Sequence, residues 1–281
     1  MTDPYPTLCF PDHEKSCFAC CPPIRPAGYE HIQYRDILKR FLREDTESFK
    51  KRNGAIGPIT GLSCWALGHM YNSFKQVGCM LHPAQNDGVD LRYRVDYGEK
   101  CSRETCREER IFSKLAKNDR VFWLHLADGL DAFSYSSRKI NPLFNMINWG
   151  EYLLQSIASE QREWPLTKES LKRIYPFFST SLSPKANVYL LNQLVGKEGV
   201  HLLKTDRFQT AFKTFVKNLI KKMKDFQFSR KDAPFTHRLN LSPDFLDFLR
   251  LSAHIRRITA EEAIILKGKV DQALERFRME P

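Results

Sequence analysis

No cysteine follows Cys106: the chain runs to 281 residues, yet all eight of its cysteines lie in the first 106. Other absences narrow the function. No apolar run approaches the ~18–20 residues needed to cross a bilayer, so no membrane span is expected. Met1–Pro6 has no charged stretch leading into an apolar one, so it does not read as a secretion signal, and the expected location is cytoplasmic. None of the 13 glycines builds a phosphate loop or a dinucleotide fingerprint, and no His-Glu-x-x-His, nucleophile elbow or Cys-x3-Cys-x2-Cys array of the radical-SAM type occurs. The best-marked nucleotide, zinc-protease, hydrolase and radical chemistries are therefore not written in this chain, and no substrate or reaction is legible.

What is present begins with a core. Hydrophobic residues make up 42% of the chain, enough to fold. The net charge of +11 is unevenly placed: residues 107–281 hold 30 Lys and Arg against 20 Asp and Glu, whereas residues 1–106 hold 14 against 13. The cysteine-bearing part is nearly neutral and the cysteine-free part is basic. Such a surface is either a solubility feature or a contact for an acidic partner or nucleic acid.

Three readings compete for Cys9, Cys17, Cys20, Cys21, Cys64, Cys79, Cys101 and Cys106. Structural disulfides want an oxidising compartment. Inert core thiols leave the clustering unexplained. Metal or cluster ligation accounts for it best, because thiolates bind soft and borderline metals when several converge from short loops. Cys17 and Cys20 form a Cys-x2-Cys knuckle, a gap that turns both sulfurs to one side while backbone amides point at them, and Pro22-Pro23 stiffen its exit. Cys20 and Cys21 are adjacent and cannot both join one tetrahedral ion without strain, so one of them serves a second metal, a cluster, or packing. Cys64 and Cys79 flank an expected β-hairpin with Tyr71-Asn72-Ser73 at its turn. Cys101 and Cys106, after Gly98, are expected to open a helix, where a thiol ionises more easily. His82 and His13 are candidate additional ligands, with His69 behind them.

The run Ser16-Cys17-Phe18-Ala19-Cys20-Cys21 resembles the signature of a bacterial family of zinc- or iron-chelating cysteine-cluster (YkgJ-like) proteins, marked by CxxCxxCC near the N-terminus. Cys64-Trp65-Ala66-Leu67 and Gly78-Cys79-Met80-Leu81-His82-Pro83 resemble that family's second, hairpin-borne cysteine region, and Cys101 and Cys106 its closing cysteines. The first motif cysteine would fall at Glu14; either Cys9 replaces it through a longer loop or that ligand is lost. The resemblance spans about residues 9–106 and implies a chelating module without a named reaction.

The expected fold is mostly α: an N-terminal cysteine-rich metal-binding module with a short β-hairpin (1–106, including a helix over 29–52), packed on a helical, basic part (107–281). Tyr34, Ile37, Leu38, Phe41 and Leu42 recur at helical spacing in the first helix. Further helices are expected over 119–135, 145–159, 205–226, 242–254 and from Thr259, whose Thr259-x-x-Glu262 is a capping box. In 205–226, Phe208, Phe212, Phe215, Leu219, Met223 and Phe226 form one stripe and Lys213, Lys217, Lys221 and Lys224 the other face, a solvated face or a contact for nucleic acid or an acidic partner. His125, Asp128 and Asp131 stand at three-residue intervals and read as a solvated face rather than an acid–base set. The functions left standing are a metal-binding protein (iron, iron–sulfur or zinc, with iron preferred because a single closed zinc site has no use for Cys20-Cys21), an iron–sulfur enzyme or electron carrier, and a zinc-stabilised nucleic-acid binder.

Overall fold

The computed structural model describes residues 6–21, 28–51, 58–59, 64–70, 75–103, 106–161, 165–224 and 232–279. Pro22-Pro23, the expected hairpin turn at Tyr71–Ser73, and the ends of the first and fourth expected helices at Arg52 and Phe226 lie outside them. The chain is mostly helical with one small antiparallel sheet, and among the described residues no helix is long and apolar enough to cross a membrane. It divides into two compact units, Met1–Asn145 and Met146–Pro281. Residues 107–145, grouped with the helical part on sequence grounds, lie in the first.

In the first unit, α1 (Arg35–Lys51) follows a 3-10 turn at His31–Tyr34. Leu38 and Leu42, one turn apart, are fully buried, whereas Tyr34 and Ile37, expected on the same face, lie at the surface. The helix lies against β1 (Leu67–Met70), where the Thr46 hydroxyl accepts the His69 N–H at 2.8 Å. β1 pairs with β2 (Gln76–Cys79), setting Leu67 opposite Cys79 and His69 opposite Val77. All four residues of β1 are buried, so both faces of the hairpin are covered. One cover is the segment before Cys17: the buried Ser16 hydroxyl donates to the Val77 carbonyl (2.6 Å) and accepts the Val77 N–H (2.8 Å), so one side chain pairs with β2 where a third strand would lie.

Four short helices complete this part: α2 (Gly98–Arg103), α3 (Arg107–Phe112), α4 (Lys117–Leu124) and α5 (Ala132–Ser136). The continuous helix expected over 119–135 is broken. After α4 comes a 3-10 turn, and Gly129 takes φ +74°, a left-handed conformation that a side chain disfavours. Asp131 then caps α5 by accepting the Ser134 N–H at 2.8 Å. The expected helix over 145–159 is likewise two, α6 (Pro142–Ile147) and α7 (Glu151–Glu160), parted at Gly150 with φ +94°.

The second unit holds α7, α8 (Lys168–Ile174), α9 (Pro184–Glu198), α10 (Asp206–Lys224), α11 (Pro243–Asp247) and α12 (Ala260–Met279). Thr205 starts α10, its hydroxyl accepting the Phe208 N–H at 3.2 Å. The phenylalanine stripe of α10 faces inward: Phe212 is fully buried, its ring 5.6 Å from Phe177 and 5.8 Å from Phe208. The capping box of α12 forms in both directions, Thr259 N–H to Glu262 Oε2 at 2.9 Å and Glu262 N–H to Thr259 Oγ1 at 3.2 Å. The helix expected over 242–254 is α-helical only to Asp247 and continues as a wider π turn through Ser252.

Candidate metal centre

All eight cysteines line a single cavity of about 360 Å³ within the first unit. They reach it from four stretches of chain, and each stretch is held by identifiable bonds. The Cys17 N–H donates to the Cys9 carbonyl at 2.8 Å, which folds the first strip back on itself. The Phe18 N–H donates to the Ser136 hydroxyl at 3.0 Å, and the fully buried Phe18 ring stands edge-on to Phe133, so the knuckle is fastened to α5. The Cys21 N–H closes the knuckle onto the Phe18 carbonyl at 3.0 Å. The hairpin carries Cys64 and Cys79. Arg92 fixes the Cys101 end: it is forked onto Asp90 (2.9 and 2.7 Å) and donates to the Cys101 carbonyl at 2.7 Å. Cys106 is the N-cap of α3, its sulfur accepting the Glu109 N–H at 3.3 Å. Cys101, by contrast, lies inside α2, so of the two cysteines expected to open a helix only Cys106 does. The Glu109 carboxylate in turn accepts the Leu8 N–H at 2.9 Å, and the Tyr135 hydroxyl donates to the Leu8 carbonyl at 2.9 Å, which brings Cys106 beside Cys9.

None of the eight cysteines is in a disulfide, and most are half-buried; Cys64 is buried and Cys20 exposed. Burial raises them. Cys64 is pushed up to about 11, and Cys79 and Cys106 to about 12, in each case first by loss of solvent. Cys9 and Cys17 rise for the same reason, and Cys21 rises first through its hydrogen bond with Cys20. Four backbone amides oppose the rise by donating to sulfur: Ala19 to Cys17, Ala66 to Cys64, Leu81 to Cys79 and Glu109 to Cys106. Two guanidinium groups on the wall act in the same direction, Arg138 on Cys17 and Cys106, and Arg92 on Cys79. Amides and cations aimed at sulfur favour thiolate and any negatively charged thiolate complex.

Among the described residues, no three His, Cys, Asp or Glu side chains come close enough to grip one metal ion. His82 lines the cavity, its ring 5.9 Å from Phe10, and burial lowers its pKa. His13 is exposed and His69 is buried in β1; neither lines the cavity. Glu14 pairs with Lys75 at the surface at 2.8 Å, while Cys9 lines the wall. Arg92, Glu109 and Arg138 were not singled out from the sequence. Asp90-x-Arg92 carried a local signal as an acid–base pair two residues apart; Arg138 carried none.

The other candidates lie away from the cysteine-lined cavity. His125 Nδ1 lies 2.7 Å from Asp128, and Asp131 caps α5 and pairs with Arg35. Lys213, Lys217 and Lys221 are exposed along α10; the Lys224 side chain lies outside the description. The aromatic stripe of α10 is turned away from them, so this helix face offers charge without rings on which bases could stack. Comparison with family models, curated proteins and solved structures finds no match for this chain.

Proposed function

We propose that the first unit is a cysteine-cluster module that holds iron as an iron–sulfur centre. The observation that carries this is the convergence of eight thiols from four stretches of chain on one cavity. The donor set suits the group. A lone tetrahedral ion needs sulfurs about 3.8 Å apart, from a metal–sulfur bond of about 2.3 Å. An iron–sulfur cluster takes four cysteine thiolates, and eight line this wall. Four amides and two guanidinium groups directed at sulfur supply the hydrogen bonds and charge that stabilise an anionic cluster. The resemblance of residues 9–106 to chelating cysteine-cluster proteins points the same way.

When bound, such a centre supplies one-electron transfer. The chain's own part is to bind it through thiolates, to exclude water with Phe18 and the hairpin, and to set its potential through Arg92, Arg138 and the amide donors. The test is elemental analysis with an absorption spectrum on anaerobically purified protein. Iron and acid-labile sulfide in equal amounts, with broad absorption in the visible blue, is the expected result. A colourless protein holding only zinc, or a folded metal-free one, overturns it.

A further inference from the structure

Packing divides the eight thiols into two groups of four, and backbone bonds and electrostatic proximity follow that line for most of them. Cys64 belongs to a hydrophobic cluster with Trp65, Leu67, Val77 and Leu81, and Cys21, Cys79 and Cys101 pack against it, while Cys9, Cys17, Cys20 and Cys106 lie outside it. Cys17 is bonded to Cys9, and Cys106 is joined to Cys9 through Glu109 and Leu8, whereas Cys64 and Cys79 share the open end of the hairpin, where the Leu67 N–H bonds the Cys64 carbonyl and Leu67 stands opposite Cys79. Electrostatically, Cys9 feels Cys17, Cys20 and Cys106, and Cys17 feels Cys20 and Cys106. Cys79 feels Cys64 and Cys101; Cys21 feels its neighbour Cys20 first, through their hydrogen bond, and then Cys79 and Cys64. Each group has two sulfurs that accept a backbone amide and one guanidinium close by, Arg138 for the first and Arg92 for the second.

We infer that the chain builds two four-thiolate sites, one from Cys9, Cys17, Cys20 and Cys106 and the other from Cys21, Cys64, Cys79 and Cys101. The adjacent Cys20 and Cys21 then have a purpose: their shared peptide bond joins the two centres covalently and keeps them close enough for their unpaired spins to couple. The inference rests on the reading that these thiols bind metal, but not on which metal.

The test counts metal in the anaerobic full-length protein and in one variant per group, Cys106→Ser and Cys101→Ser, with Cys9→Ser and Cys79→Ser as second choices should either fail to fold. Two [4Fe–4S] centres would give about eight iron and eight sulfide per chain. Each single variant is expected to keep about half the metal, and Cys106→Ser/Cys101→Ser almost none. The dithionite-reduced wild type, which needs no substitution, is expected to show an electron paramagnetic resonance signal split by coupling between two centres; each single variant should show an unsplit one. Iron and sulfide that either single variant abolishes, with an unsplit wild-type signal, overturn the division and leave the iron–sulfur reading standing. Two zinc ions per chain, falling to one in each variant, keep the division and overturn the iron–sulfur reading. A folded protein without metal overturns both.

Discussion

Asp90 and Arg92 illustrate how a single pair can hold a site in place. The Arg92 guanidinium, hydrogen-bonded to Asp90, holds that carboxyl down to about 2 and uses its remaining donor to fix the Cys101 carbonyl. A carboxyl depressed from an ordinary value of 3.8 contributes stability above that pH and loses it as pH falls towards the folded value. Acid titration of unfolding should therefore show wild type losing its advantage over Asp90→Asn between about pH 4 and pH 2, with the two curves parallel above pH 5. A constant difference down to pH 2 would show that the pair is not electrostatically coupled. At this scale the sequence was informative where chemistry is rare: cysteine is scarce and costly to cluster, so its placement carried the site. Arginine is common, and Arg138 becomes meaningful only where the fold brings it against Cys17 and Cys106.

At the scale of the element, α10 separates the residues that build from those that only face water. Phe212→Ala should cost about 3–5 kcal/mol, because a fully buried ring packed on Phe177 and Phe208 leaves a cavity. Lys217→Ala, on the exposed face, should stay within about 0.5 kcal/mol. Denaturant unfolding of both variants checks the pair, and equal losses would refute the orientation of the helix. Period and caps made α1, α10 and α12 legible. The helices over 119–135 and 145–159 were drawn too long because the apolar period runs on through Gly129 and Gly150. A pattern of side chains does not record which glycine takes a left-handed backbone; the neighbours to be packed decide that. Of Cys101 and Cys106, both expected to open a helix, only Cys106 caps one: a cap is a local geometry, and here it goes with the helix whose Glu109 meets Leu8.

At the scale of the whole chain, the two units differ in charge and in what fills them. Residues 146–281 carry 23 Lys and Arg against 15 Asp and Glu, or +8 of the +11, and no cysteine. Their core is aromatic and aliphatic, with Trp149 5.4 Å from Phe177. The cavity of the first unit, about 360 Å³ among its short helices and its two-stranded sheet, is the one lined by all eight cysteines. If metal fills that cavity, its binding energy is folding energy for the surrounding segments. Stripping the metal should then accelerate amide hydrogen exchange across the hairpin, α2 and α3, while α10 and α12 keep their protection. Equal loss of protection in both units, or none in either, would count against a metal that stabilises the first unit.

Composition and spacing alone determined that the protein is mostly helical, that one short hairpin carries Cys64 and Cys79, and that its cysteine chemistry is confined to the first 106 residues. These are local or statistical properties, and a linear pattern records them. Tertiary structure alone decided which cysteines face which. Cys9 meets Cys106 across almost a hundred residues because Leu8 and Glu109 bond each other, and of the adjacent Cys20 and Cys21 only Cys21 packs against the hairpin's apolar cluster.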